Sequence, residues 1–403
     1  MKKIATSICM FFILASGITA KAGSPFTKVT TVGTQGRDGA IMFAIGPDFY
    51  FGGGTGKDFW VYHSDSNTTR QLPDMPGLIS ERSFGTGFAI GNKGYVCLGE
   101  DEGIKTTLKN DLWQFDPATK KWTQKADFIG DARDGAFVFV IGNVAYIGGG
   151  SNDVDLYNDF FAYNAVTDKW TNKGVLPTGY TIFTAPFVIN NIGYIVGGQS
   201  GQTETNGLYK YDTTSNNWTP MADFPGVARQ CAIAMAIGNK AYVGLGQSQY
   251  ATPYSDFYSY DPSKDQWTKI NSFLGGSRAW SCAASNGTKA CFAFGWDLDK
   301  TFYNDIWSFD ASQVSGISPA ESVIPGMDIY PDPAKDYLYL TNDNHLKINS
   351  IRINDVNGKT LKIVYPGEGE IVMRIDIGGF SKGVYFINVD SGQRLECKKF
   401  LVY

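Results

Sequence analysis

At 403 residues the chain exceeds what one hydrophobic core usually serves, so two or three domains are expected. Glycine is abundant (47), aromatics make up 14% and charged residues only 18%; with no sustained 3.6-residue periodicity, this excludes a helical protein and predicts an all-β fold. The formal net charge of −4, without a basic cluster, argues against nucleic acid or an anionic bilayer as the partner.

Residues 1–22 read as a signal peptide: Lys2 and Lys3, an apolar stretch from Ile8 to Ile18, and the small-residue site Ala20-Lys21-Ala22. No cysteine follows that site, and no other apolar run approaches the ~20 residues of a transmembrane segment. Removing the segment leaves 32 basic against 39 acidic side chains, a net charge of −7. Of the remaining cysteines, Cys97, Cys231 and Cys397 form no framework, while Cys282 and Cys291 flank Asn286-Gly287. A two-residue turn there would set the last two opposite each other; a slipped register would leave two buried thiols.

From about residue 26 to 311 three landmarks recur. An aromatic is followed four residues later by glycine at Tyr50/Gly54, Tyr95/Gly99, Tyr146/Gly150, Tyr194/Gly198 and Tyr242/Gly246, with Cys291/Gly295 as a variant; the glycines are 45, 51, 48, 48 and 49 residues apart. Short strands such as DLWQFD (111–116), DFYSYD (256–261) and DIWSFD (305–310) follow, and then a tryptophan at 122, 170, 218 or 267. Each unit of ~48 residues thus holds four short strands, as one blade of a propeller does. The doublets Gly52-Gly53, Gly148-Gly149 and Gly197-Gly198, degraded to Leu98-Gly99, Leu245-Gly246 and Phe294-Gly295, complete a pattern that resembles the kelch repeat.

The sixth unit stops at Asp310 without its outermost strand. Trp122, Trp218 and Trp267 each precede an arginine by 11 residues, and Phe26 precedes Arg37 by the same distance. FTKVTTVG is therefore expected to supply the missing strand, closing a six-bladed kelch-type β-propeller over 23–311 and removing its free edge.

A Ser-, Gly- and Pro-bearing linker (312–326) leads to a tail (327–403) with strands expected at YLYL (337–340), SIRIND (350–355), KIVY (362–365), IVMRIDI (371–377), VYFINV (384–389) and the terminus, a small β-sandwich. IYPDPAKDYLYL, NDVNGK, FSKGVYFINV and KKFLVY resemble the type A C-terminal sorting domain of the type IX secretion system of Bacteroidota, Asp332 replacing the more usual asparagine. The resemblance implies dealings with that secretion machinery, passage through the periplasm and across the outer membrane, and a secreted or cell-surface location.

The residue inventory limits chemistry. The two histidines, His63 and His345, are too few for a centre such as the copper site of galactose oxidase, with which the resemblance to kelch propellers invites comparison, and no cofactor is expected. GGGTGKD (52–58) lacks the Ser or Thr of a phosphate loop, and SNDVDLYND (151–159), despite Asp153, Asp155 and Asn158, lacks a calcium frame. Arg37, Arg82, Arg133, Arg229 and Arg278 share one repeat position, broken in the fourth repeat by Tyr180-Thr181. Kelch geometry puts them beside loops carrying Glu100, Asp101, Glu102, Tyr250, Trp296 and Asp297. They either line a pocket for carboxylates or hydroxyls or bind acceptors within the blades, and their repetition favours the second. The non-repeating Glu100, Asp101, Tyr180, Trp280 and Trp296 are the sharper ligand-binding candidates, and no catalytic residue is assigned. The expected function is binding of a glycan or protein. The alternative is a metal-independent enzyme resembling the exported kelch-type sialic acid epimerases, with Glu100 or Asp101 beside an arginine as its acid/base pair.

Overall fold

The computed structural model describes residues 24–402 apart from 34, 79, 102–106, 153, 249–250, 315–326, 328, 331–333, 343–345, 357, 368–369, 371 and 393–394. The signal segment, Glu102, Asp153, Tyr250, Asp332, His345 and Ile371 therefore lie outside the described residues.

Described strands between Phe26 and Phe309 form six four-stranded antiparallel sheets. Their first strands are Ala40–Ile45, Thr86–Ile90, Phe137–Ile141, Ala185–Ile189, Ile233–Ile237 and Cys282–Ser285. Each packs on the next, and the last packs on the first. In sheets one to five the first hairpin turns in two residues, with Gly46, Gly91, Gly142 and Gly238 at φ 57–60° and Asn190-Asn191 at 52° and 60°. A left-handed first residue, followed by a second one only at Asn190-Asn191, matches the twist of the strands it joins, which is why Gly and Asn stand there.

The sixth sheet differs. Ser285 pairs with Ala290, so Cys282 faces Ala293 and Cys291 faces Ala284. Both cysteines are free, buried thiols, and the two-residue turn that would have paired them is replaced by a longer loop. That loop reaches both neighbours: Gly238 N–H donates to Gly287 O (2.9 Å), and Asn286 Nδ2 donates to Gly46 O (2.7 Å).

The outermost strand of the sixth sheet is Phe26–Thr31, antiparallel to Asp305–Phe309. Phe26 lies opposite Phe309, just as Trp122 lies opposite Phe115 and Trp267 opposite Tyr260. Its ring meets those of Phe257, Phe273, Phe292 and Phe309 at 4.9, 5.4, 6.1 and 5.3 Å. Burying such a side chain contributes roughly 1.5–3 kcal/mol.

One backbone hydrogen bond recurs at each of the six junctions. The amides of Gly54, Gly99, Gly150, Gly198, Gly246 and Gly295 donate to the carbonyls of Arg82, Arg133, Thr181, Arg229, Arg278 and Arg37, at 2.8 or 2.9 Å. These glycines need a positive φ and close approach: a Cβ on Gly54 (φ 79°) would lie 2.3 Å from Asp38 O. The structurally equivalent doublets of sheets one and three are accordingly Gly53-Gly54 and Gly149-Gly150, one residue beyond the sequence assignment. Leu98, Leu245 and Phe294 keep the left-handed φ of the first glycine (61°, 57° and 66°) and are fully buried.

The tail is a sandwich of two sheets. Ile329–Tyr330, Tyr337–Thr341 and Val372–Asp376 form one; Thr360–Val364, Ser350–Asp355, Gly383–Asp390 and Leu395–Val402 form the other. Alternation along its strands turns Met373, Ile375 and Ile377 into a shared core with Leu338, Leu340, Ile351 and Ile353. Tyr337 and Tyr339 hydroxyls donate to the Asp299 carboxylate at 3.1 Å, joining the tail to a loop of the sixth sheet. Among the described residues the only helix is the three-residue turn Ala311–Gln313, and none is long and apolar enough to cross a membrane.

Candidate functional site

The repeated arginines are structural ties. Each forks onto an aspartate that opens the third strand of its sheet: Arg37 on Asp58, Arg82 on Asp111, Arg133 on Asp159, Arg229 on Asp256 and Arg278 on Asp305, with Nη2 contacts of 2.8–3.0 Å. Each also donates to the carbonyl 16 residues on, as Arg229 does to Leu245 O at 3.0 Å. Aromatic faces cover several of them, with Tyr157, Tyr254 and Tyr303 at 3.7, 4.2 and 3.8 Å from the guanidinium carbons of Arg133, Arg229 and Arg278. All five are at most 3% exposed, so the pocket-lining role considered for them has no accessible charge to use. Burial pushes the carboxyls of Asp58 and Asp305 up, but the hydrogen bonds and charge of Arg37 and Arg278 outweigh it and hold both below the usual carboxylate range.

The non-repeating candidates separate. Asp101 is fully buried and accepts from Ser80 N (3.0 Å), Ser80 Oγ (3.2 Å) and Glu81 N (3.3 Å), with Lys109 Nζ at 3.1 Å, so it holds a loop in shape. Glu100 is buried beside it in a two-residue strand paired with Thr107–Leu108. The arginine nearest in sequence, Arg82, forks onto Asp111, away from the acid/base pairing considered for Glu100 and Asp101. Trp296 is 6% exposed, and the Lys300 ammonium sits 3.3 Å from its ring centroid, so its stacking face is covered. Tyr180 is exposed on the approach to the fourth sheet.

Trp280 joins a concave site. It lies two residues beyond Arg278, and the same position of the other repeats holds Gly39, Phe84, Gly135, Phe183 and Cys231. All six have φ between 54° and 61°. Large and small residues alternate around the ring, which lets three aromatics meet near its centre. Trp280 is 4.7 Å from Phe84 and 4.4 Å from Phe183, and Phe84 is 5.9 Å from Phe183, all edge to face. A cavity of 170 Å³ lies against them, also lined by Cys231, Thr184 and Ser281. A second space of 380 Å³ runs along the innermost strands past Met42, Phe88, Val138 and Ala236. Burial pushes the Cys231 thiol far up, and the Glu204 and Asp38 carboxylates push the same way, so it stays protonated and is no nucleophile. Bulky residues at positive φ cost roughly 1–3 kcal/mol each and gather where a site over-determines them. Phe84, Phe183 and Cys231 escape a reading that stops at the arginines; aligning the repeats on those arginines and stepping two residues on finds them.

Three family models match the sequence: the KLHDC2/KLHL20/DRC7 Kelch-repeats domain over residues 24–181, the Kelch motif over 185–225 and the secretion system C-terminal sorting domain over 328–403. The chain carries kelch repeats and a secretion-system sorting tail. No curated protein matches this chain. A solved structure titled "Structure of YjhT" is similar to it in fold, with a TM-score of 0.61 at 14% identity, covering 71% of this chain and 98% of that one. The sorting domain implies secretion or display at the cell surface.

Proposed function

We propose that the chain is an exported binding module: a signal peptide (1–22), a six-bladed propeller (23–311) closed by its N-terminal strand, a linker (312–326) and a sorting sandwich (327–403) that engages the type IX secretion machinery. The ligand is a glycan or a protein, held at the mouth floored by Phe84, Phe183 and Trp280. The observation that carries this reading is the meeting of three aromatics, in left-handed conformations, against a cavity. Aromatic faces at a concave mouth suit sugar rings and peptide side chains alike.

A glycan array probed with the full chain tests it. Saturable binding lost in Trp280→Leu and kept in Trp296→Ala is expected; binding indifferent to Trp280 would refute the location. Turnover of a bound sugar would replace the module by an enzyme. The ring of six junction bonds and the Phe26 pairing support closure, and deleting residues 23–34 is expected to lower the melting temperature sharply; an unchanged value would sink that part.

A further inference from the structure

The first strands of the six sheets pack on one another in a ring, and each pairs on one side only, with the second strand of its own sheet. Six unpaired strand edges, with their backbone amides and carbonyls, therefore face the axis of the ring. Pro186 fits this arrangement: it has no amide to donate and lies opposite Ile195 in the first strand of sheet four, as a proline does when its nitrogen is on a free edge. Side chains alternate along these strands. Phe43, Phe88, Phe139 and Phe187 are buried between neighbouring sheets. The residues that follow them, Ala44, Ala89, Val140 and Val188, are half-buried and line the 380 Å³ space.

Among the described residues no charged side chain lines that space, and its volume falls in the roughly 300–1,000 Å³ range that holds small ligands. Phe84, Phe183 and Trp280 stand before the first strands begin, whereas the space runs on to the hairpins at their far end, where Asn190, Gly238 and Gly287 line it. Asn190 carries a second signal. It opens its turn at φ 52°, where Gly46, Gly91, Gly142 and Gly238 stand in four sister sheets, so a side chain occupies a left-handed position that glycine takes elsewhere. The sixth hairpin also bears an asparagine, but Asn286 is engaged: its Nδ2 donates to Gly46 O at 2.7 Å, and its Oδ1 accepts from the Thr288 and Lys289 amides at 3.1 and 2.8 Å. The Asn190 side chain is exposed at the rim and has no hydrogen-bond partner among the described residues.

We infer that the hairpin end of the channel is a second binding site, for a slender uncharged molecule bearing hydroxyl groups, a polyol or a neutral sugar, with the strand edges as its donors and acceptors and Asn190 at the rim. A charged ligand would exchange its hydration for a lining without a counter-charge, and a hydrocarbon would leave the strand edges unpaired. A neutral molecule with donors and acceptors along its length meets both conditions. The site lies at the opposite end of the first strands from the aromatic floor and does not depend on it.

Calorimetric titration of the full chain with sorbitol and methyl glucoside tests it, with gluconate as the anionic and glucamine as the cationic counterpart of sorbitol. The neutral probes should bind saturably and at least about tenfold more tightly than the charged ones, and the two of them tell an open chain from a ring. Asn190→Gly should weaken binding about fivefold, the worth of one hydrogen bond, at a nearly unchanged melting temperature. Ala236→Leu, which narrows the bore, should abolish it; if that variant proves unstable, Asn190→Gly decides alone. Charged probes binding as well as the neutral ones, binding indifferent to Asn190→Gly, or silence from both neutral probes would overturn the inference. Neutral probes lost in Trp280→Leu and kept in Asn190→Gly would sit on the aromatic floor, which overturns this site and supports the other.

Discussion

The fourth sheet and its five sisters differ at two positions at once. Five sheets hold an arginine at the start of the first strand and an aspartate at the start of the third; the fourth holds Thr181 and Gly207. Neither charge survives without the other. Removing one partner of a buried ion pair leaves a naked charge and costs roughly 3–5 kcal/mol, whereas removing both can be nearly neutral. The junction itself does not need the pair, because Gly150 N–H still donates to the Thr181 carbonyl at 2.8 Å. The backbone joins the sheets, and the ion pairs fix how each sheet holds its own strands.

The largest effect that would break this comparison is expected at Arg229, whose Nε donates to Val227 O at 2.9 Å while its fork holds Asp256. Asp256→Ala should cost about 3–5 kcal/mol by urea unfolding, and adding Arg229→Met should recover most of that. Additive losses would mean the pair acts as two independent contacts. Thr181→Arg should cost about 3 kcal/mol, and Gly207→Asp beside it should restore stability by rebuilding the sisters' pair. The atoms nearest a Cβ at Gly207 belong to the Tyr209 side chain, at 2.9 Å or beyond, so the aspartate needs that ring to move.

Acid gives the next effect. Asp58 and Asp305 have carboxyls held below their unfolded value, so their contribution is present above about pH 4 and is lost as pH falls through the depressed folded value. Urea midpoints should therefore fall below about pH 4, and less steeply in the Arg278→Met, Asp305→Ala double variant. An identical slope would remove the pairs from the acid response. The smallest effect lies in the hairpin where the fourth sheet uses Asn190 at φ 52° and four sisters use glycine. Asn190→Gly should change stability by less than about 1 kcal/mol, read as a small shift in melting temperature.

Much of this fold was legible in the sequence, because a repeat states its strands several times over. Phe26 could be matched to its sheet by an 11-residue interval, and the tail strands by alternation such as Met373, Ile375 and Ile377. The Cys282 hairpin was not legible, since its register depends on a loop that packs on sheets one and five. The site was half legible. The arginines announce themselves by repetition, but repetition marks what every sheet needs, and function is to be sought where sheets differ. Trp280 stood out as unique; Phe84 and Phe183 did not, because their meaning lies in alternation around a ring and not in any neighbour along the chain.

The six glycine-to-carbonyl bonds bear on how such a molecule comes apart. A row of repeats melts from its ends, where the last unit has one neighbour. Here Gly295 N–H donates to Arg37 O, so the last sheet and the first each lean on two others. Unfolding then has no cheap starting point, and a protease outside the cell meets a chain that opens as a whole or hardly at all.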